Sequence, residues 1–241
     1  MELFTEDGLN LLSRFAHVIS GVTWIGLLYY FNFVQVPSFA QFEAAGRTEA
    51  ISKLVPRALW WFRWGAVATV ASGLLLVIFA VNVDDNYFSR PSGVAISLGM
   101  TLGIIMFLNV WGVIWRNQKV VIASAQGVLE GKPADPAAAD AGRRALLASR
   151  TNAIFSIPLL FLMVFTGHLA GVYGAELDNA GMFWGPITII VALLELNALG
   201  VIGGIGPGPT KKYMETHKNA MITGFVLLVV VYLWFEVCFG V

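Results

Sequence analysis

GVAISLGMTLGIIMFLNVWGVIW (93–115) holds no charged side chain, and Arg116, Asn117, Gln118 and Lys119 follow it directly. A membrane-crossing helix needs about 20 mostly apolar residues, and this run supplies them. Working outward, five more stretches qualify, at roughly 9–36, 58–82, 154–174, 182–203 and 219–240. The composition agrees: 57% of the chain is hydrophobic and 12% charged, with a mean hydropathy of +0.73. Soluble domains hold about 45–50% apolar and about 25% charged residues. The expectation is an all-α polytopic membrane helix bundle of six transmembrane helices, with room for up to eight, forming a single integral membrane domain over 1–241.

The opening MELFTEDG is acidic and lacks the basic n-region of a signal peptide, and the first apolar stretch is too long for a signal core. It reads as a retained helix. Fifteen basic residues balance fifteen acidic ones, so no overall basic field favours nucleic acid. The single cysteine, Cys238, excludes an intrachain disulfide, a thiolate metal site and covalent haem attachment through CxxCH.

Orientation follows from Lys and Arg near the helix ends. Thirteen of the fifteen basic residues fall on one side: Arg47, Lys53, Arg57 and Arg63; Arg116, Lys119, Lys132, Arg143, Arg144 and Arg150; Lys211, Lys212 and Lys218. Arg90 stands on the other side with Glu2, Glu6, Asp7, Asp84, Asp85, Glu176 and Asp178, and Arg14 lies just inside the first span. Both termini are expected outside, in the periplasm, with the chain in a bacterial inner membrane. Between spans, 38–55 mixes apolar and charged residues at helical spacing and reads as an interfacial helix. The longer cytoplasmic connection covers about 117–149, and Asp135-Pro136 reads as the start of a helix entering span four. GGIGPGP (203–209) lacks the GK[ST] ending of a phosphate loop and reads as a plain loop.

Two of the three histidines lie inside spans, where ionisable groups are costly and mark functional sites. His17 is ~12 Å below the outer start of span one, and His168 ~9 Å below the outer end of span four, at 1.5 Å per residue. Two imidazoles at one depth suit axial ligation of a noncovalent b-type haem. Gly21 shares the His17 face and lets a flat ring approach, while Arg14 is placed to pair with a propionate. The alternative is that each histidine hydrogen-bonds a serine, threonine or carbonyl in a packed bundle. His217 falls on the opposite side from this pair and reads as a solvated surface residue.

At the inner face, PRALWWFRWGA (56–66) and LNVWGVIWRNQKVVI (108–122) place Arg63, Asn117, Gln118 and Lys119 beside Trp60, Trp61, Trp64, Trp111 and Trp115. Trp belts and snorkelling Arg are ordinary at an interface. Read functionally, these donors and rings suit a planar anionic heterocycle. Glu195 lies near mid-span, where it suits a hydrogen-bonded or proton-accepting role.

RFAHVISGVTWIG (14–26), LWWFRWGA (59–66), NVWGVIWRNQK (109–119), SRTNAIFSIPLLFLMVFTGH (149–168) and LELNALG (194–200) together resemble the transmembrane part of the bacterial membrane-bound urate hydroxylases, the urate oxidase N-terminal family. His17, His168, Trp111, Asn117, Gln118 and Lys119 match positions of that pattern. The resemblance implies an integral membrane redox protein linked to a c-type cytochrome and, as in some members, oxidation of urate or a urate-like purine. It departs from the family in two respects: the helices number six rather than eight, and no CxxCH cytochrome domain follows them. Electrons are therefore expected to leave to a separate carrier. Haem would sit on His17 and His168, with Arg14 and Gly21 beside it; Arg63, Asn117, Gln118 and Lys119 would contact substrate, and Glu195 would accept a proton. The competing expectation is a non-catalytic accessory or electron-transfer subunit of a larger respiratory or photosynthetic redox complex.

Overall fold

A computed structural model describes residues 2–174 and 180–240. Glu176 and Asp178, counted above with the outer carboxylates, lie outside the described residues. The helices are α1 (Glu6–Phe39), α2 (Ala44–Lys53), α3 (Val55–Val83), α4 (Pro91–Leu129), α5 (Ala138–His168), α6 (Ala180–Ala198) and α7 (His217–Phe239). All but α2 are long and apolar enough to cross a membrane. Among the described residues no strand occurs. The all-α bundle with six candidate spans is as expected from the sequence.

Local chemistry sets the boundaries. Thr5 caps α1 by accepting from the Gly8 amide. Asp135 closes its own turn by accepting from the Ala137 amide at 2.8 Å, and α5 begins just beyond it, as expected for a short acidic residue at a helix start. Within 117–149 only the turn at 130–137 is not part of α4 or α5. Leu169 leaves helical geometry and a 3₁₀ turn, Ala170–Val172, follows, so α5 stops at His168, short of the expected 174. Beyond α6 the chain turns through Gly200, Gly203 and Gly204 at φ +80°, +74° and +65°. Only glycine adopts that region freely, so α6 ends at Ala198 rather than at 203. The expected 38–55 segment divides, its first residues closing α1 and the rest forming the surface helix α2.

Two spans carry an internal π-helical turn: Tyr30–Gln35 in α1 and Asn109–Ile114 in α4. Such turns insert an extra residue and are frequent at functional sites.

α5 is the central helix, packed against α1, α4, α6 and α7, while α1 packs mainly on α3. Apolar contact alone does not explain this arrangement, because lipid tails are as apolar as leucine. α5 buries Arg150, Thr151, Asn152 and Ser156, and a buried polar group without a partner costs several kcal/mol in hydrocarbon. α1 and α4 answer part of that need. From α1, the Asn32 amide donates to Ser149 Oγ at 2.8 Å, and Tyr29 hydroxyl meets Ser156 Oγ at 2.9 Å. From α4, Asn109 donates to Asn152 Oδ1 at 2.9 Å, and Asn152 in turn donates to the Met106 carbonyl at 3.0 Å.

Pro158 lies inside α5. It has no N–H to give the carbonyl of Ile154, and Gly224 of α7 lies against that carbonyl. A Cβ on Gly224 would stand 3.0 Å from Ile154 O and 2.8 Å from Ile157 Cγ1.

The loop between α6 and α7 is tied down at the end of the bundle where Ala138 and His217 lie. The Arg143 guanidinium forms a bidentate pair with Glu215 at 3.0 and 2.9 Å, and its Nε donates to the Ile205 carbonyl at 2.9 Å. Lys211 donates to the carbonyls of Asn197 and Ile202, and Tyr213 hydroxyl donates to Asn197 Oδ1 at 2.9 Å. Burial, then the charge of Glu195, pushes the Tyr213 phenol up to about 12.

Gly224→Ala is expected to destabilise the bundle by about 1–3 kcal/mol through overpacking, read as a lower Tm in detergent. The hydrogen bonds from Arg143 hold the Glu215 carboxyl below the usual range. Its stabilising contribution is therefore complete above the unfolded glutamate value of about 4.3 and is lost as pH falls through the lower folded value. Glu215→Gln should flatten that acid limb in Tm-versus-pH measurements.

Candidate functional site

His17 sits on α1, which packs along α3. Its Nδ1 lies 2.8 Å from the Thr69 carbonyl and 3.3 Å from Ser72 Oγ. A carbonyl only accepts, so Nδ1 carries the proton. Ser72 gives its own proton to the carbonyl of Ala68 at 2.6 Å, so towards His17 it too is an acceptor. The Nε2 lone pair is left free. This is the orientation typical of metal-binding histidines, whose second nitrogen donates to a carbonyl or carboxylate. Gly73 makes room for the ring: a Cβ there would stand 3.0 Å from His17 Cε1.

His17 forms part of the wall of a cavity of about 560 Å³ between α1, α3, α4 and α5, within the ~300–1,000 Å³ of small-molecule sites. Gly21, Gly73 and Gly103 line it with Trp24, Thr69 and Tyr29, and the other walls are aliphatic. Several of those aliphatic residues, such as Val22, Leu74 and Val164, are exposed, so the cavity opens on the lipid-facing side. Trp24 is buried in the wall, and its Nε1 donor has no acceptor. Along α1, His17 and Tyr29 are ~18 Å apart at 1.5 Å per residue. The cavity therefore reaches well into the membrane.

His168 is exposed at the end of α5 and does not line this cavity, although Val164, one helical turn earlier, does. Its Nδ1 donates to the Val164 carbonyl at 2.9 Å, so its Nε2 is also free. Arg14 is exposed and bonds Asn10 at 3.4 Å, outside the cavity wall. Among the described residues no group of three or more His, Cys, Asp or Glu gathers as a metal site. A two-histidine haem does not call for one.

The four expected substrate contacts separate. Arg63 lies over Trp115 at 3.5 Å and Trp111 at 5.1 Å, and its Nε donates to the Leu59 carbonyl at 3.2 Å. Lys119 lies 5.8 Å from the same Trp115 ring, one turn further along α4. Asn117 turns back onto the Val113 carbonyl at 2.8 Å. Gln118 lines a cavity of about 180 Å³ with Gln35, Ser149, Phe31, Phe62 and Ile114 in its wall. Gln35 and Asn32 were not singled out as contacts by sequence reasoning. Both lie in the π-helical turn of α1, and each has a buried amide oxygen without a donor. Asn32 reaches the cavity residue Ser149 by its hydrogen bond. The signal available in the sequence was a cluster of carboxamides near the end of an apolar span.

The two cavities meet a common layer of hydrogen bonds. Tyr29 lines the larger cavity and bonds Ser156; Ser149 lines the smaller and bonds Asn32. Glu195 of α6 borders this region from the side, where its Oε2 accepts from Asn109 at 3.1 Å.

Residues 75–192 match the family model described as urate oxidase N-terminal. The match covers His168, Asn109, Trp111, Asn117, Gln118 and Lys119, whereas Arg14, His17, Gly21, Arg63 and Glu195 lie outside it. Comparison with curated proteins gave no match, and neither did comparison with solved structures.

The tautomer assigned to His17 is testable. Nitrogen-15 NMR of labelled protein prepared free of any bound cofactor should show Nδ1 protonated and Nε2 bare at neutral pH, and Gly73→Val should abolish that pattern by displacing the ring. Over residues 75–192, just under half of its length, this chain is similar to the urate oxidase N-terminal family.

Proposed function

We propose that this membrane protein is an electron-transferring oxidoreductase in which the larger cavity holds a b-type haem on His17 and the smaller one receives a urate-like purine. The observation that carries the reading is the His17 ring. Its Nδ1–H is committed to Thr69, and its free Nε2 belongs to a residue lining a glycine-lined apolar space of about 560 Å³. His168, one turn beyond Val164 of the cavity wall with the same nitrogen free, would be the second residue to hold the haem. When bound, haem supplies one-electron redox chemistry at that level of the bundle.

The chain's own groups do the rest. Gly21, Gly73 and Gly103 keep the walls low, and Trp24 Nε1 offers a hydrogen bond to a polar edge of whatever lies against it. In the smaller cavity the Gln35 and Gln118 carboxamides match the alternating ring N–H and carbonyl groups of an oxidised purine, while Phe31 and Phe62 supply apolar walls. Oxidation of such a ring with water as the oxygen source releases two electrons and two protons. Glu195, bonded to Asn109 beside the polar layer, is the proton acceptor. The electrons go to a separate c-type cytochrome. The large cavity approaches the small one at the Tyr29 and Asn32 layer, so an inner substrate and an outer-half redox group need not be separated by a full membrane thickness.

Purified full-length protein should show a reduced-minus-oxidised b-type haem spectrum. His17→Ala should abolish it, and His168→Ala should convert low-spin to high-spin haem. An intact low-spin spectrum in both variants overturns the assignment. Urate should reduce the haem, and Gln118→Leu should slow that reduction at least tenfold without altering the spectrum.

A further inference from the structure

Arg150 is 3% exposed, and its Nε and Nη1 are buried with no hydrogen-bond partner. It lies on α5 two turns from Arg143, ~10 Å along the axis, and feels the charge of Glu215 in the loop that joins α6 to α7. Three cations act on one carboxylate there: Glu215 feels Arg143, Arg150 and Lys211 together. Arg143 takes both oxygens of that carboxylate. Lys211 is fully buried and spends its protons on the carbonyls of Asn197 and Ile202. Arg150 and Lys211 feel the Glu215 charge, yet among the described residues neither forms an ion pair with it. Burial first, and the charge of Arg143 second, hold Lys211 below the usual lysine range. Arginine has no such escape, because its guanidinium stays protonated in proteins.

A charge of this kind is costly unless it is both paired and hydrogen-bonded. Guanidinium donors in a fixed fork match the oxygens of a phosphate group, and basic pockets between membrane helices on the basic side take phosphate headgroups. We propose that Arg150, its buried Nε and Nη1 donors unpaired on the same helix as Arg143, binds a phosphate-type oxyanion at the end of the bundle that the 199–216 loop closes. The site stands apart from the cavities assigned above, and neither Arg150 nor Lys211 lines them. The anion's source is either a lipid headgroup or a free phosphate.

The experiment uses the full chain in nanodiscs of phosphatidylcholine, with inorganic phosphate added in one arm and phosphatidylglycerol incorporated in the other, and reads Tm. A hundredfold excess over Kd should raise Tm by roughly 5–10 °C. A rise with inorganic phosphate identifies a free anion, and a rise with phosphatidylglycerol alone identifies a headgroup. Arg150→Gln should lose that increment while its Tm without anion stays equal to or above that of the parent, because a buried unpaired charge has gone. Arg150→Lys, which keeps the charge and loses the fork, should retain a reduced increment and serves where Arg150→Gln does not fold. No stabilisation in either arm, or a full increment in whichever variant folds, overturns the proposal.

Discussion

Hydrocarbon offers no hydrogen-bond partner, and α5 carries an arginine, a threonine, an asparagine and a serine into the interior of the bundle. That conflict organises the molecule. Ser149, Asn152 and Ser156 follow one another at spacings of three and four, so they share a face, and α1 and α4 reach that face with Asn32, Tyr29 and Asn109. The apolar surfaces of the other helices are nearly interchangeable with lipid, whereas these hydrogen bonds are specific to particular neighbours. The position of α5 at the centre is therefore fixed by its polar residues rather than by its hydrophobic ones.

The same polar face places the two cavities. Where Tyr29 meets Ser156 the larger cavity has its end, and where Asn32 meets Ser149 the smaller one begins. Side chains in this layer lie between the lipid-open space that contains His17 and the carboxamide-lined space that contains Gln118. The packing core and the candidate site are thus one structure, and α5 contributes to both.

The spans were legible because long runs such as 93–115 contain no charge, and hydropathy needs no knowledge of neighbours. Helix ends were less so: Gly200 and Gly203 were visible as glycines, but their positive φ belongs to the folded chain. His17 was legible as a costly residue in an apolar run, and its carbonyl partner, Thr69, was not, because that contact joins residues far apart in sequence. The members of the basic and aromatic cluster share a depth, which in the sequence makes them one group. Depth does not set direction around the helix axis, and Arg63, Asn117 and Gln118 point to different partners.

The π-helical turns in α1 and α4 have a further consequence. Each adds one residue to a turn, which rotates everything beyond it by about 100° relative to an unbroken 3.6-residue helix. A helical wheel drawn through either span therefore fails at that point, and two wheels with an offset are needed. Gln35 and Gln118 lie at or just beyond these phase shifts. Their shared cavity is built by a break in periodicity, so a single-residue deletion in either turn acts there as a rotation of the helix rather than as the loss of one side chain.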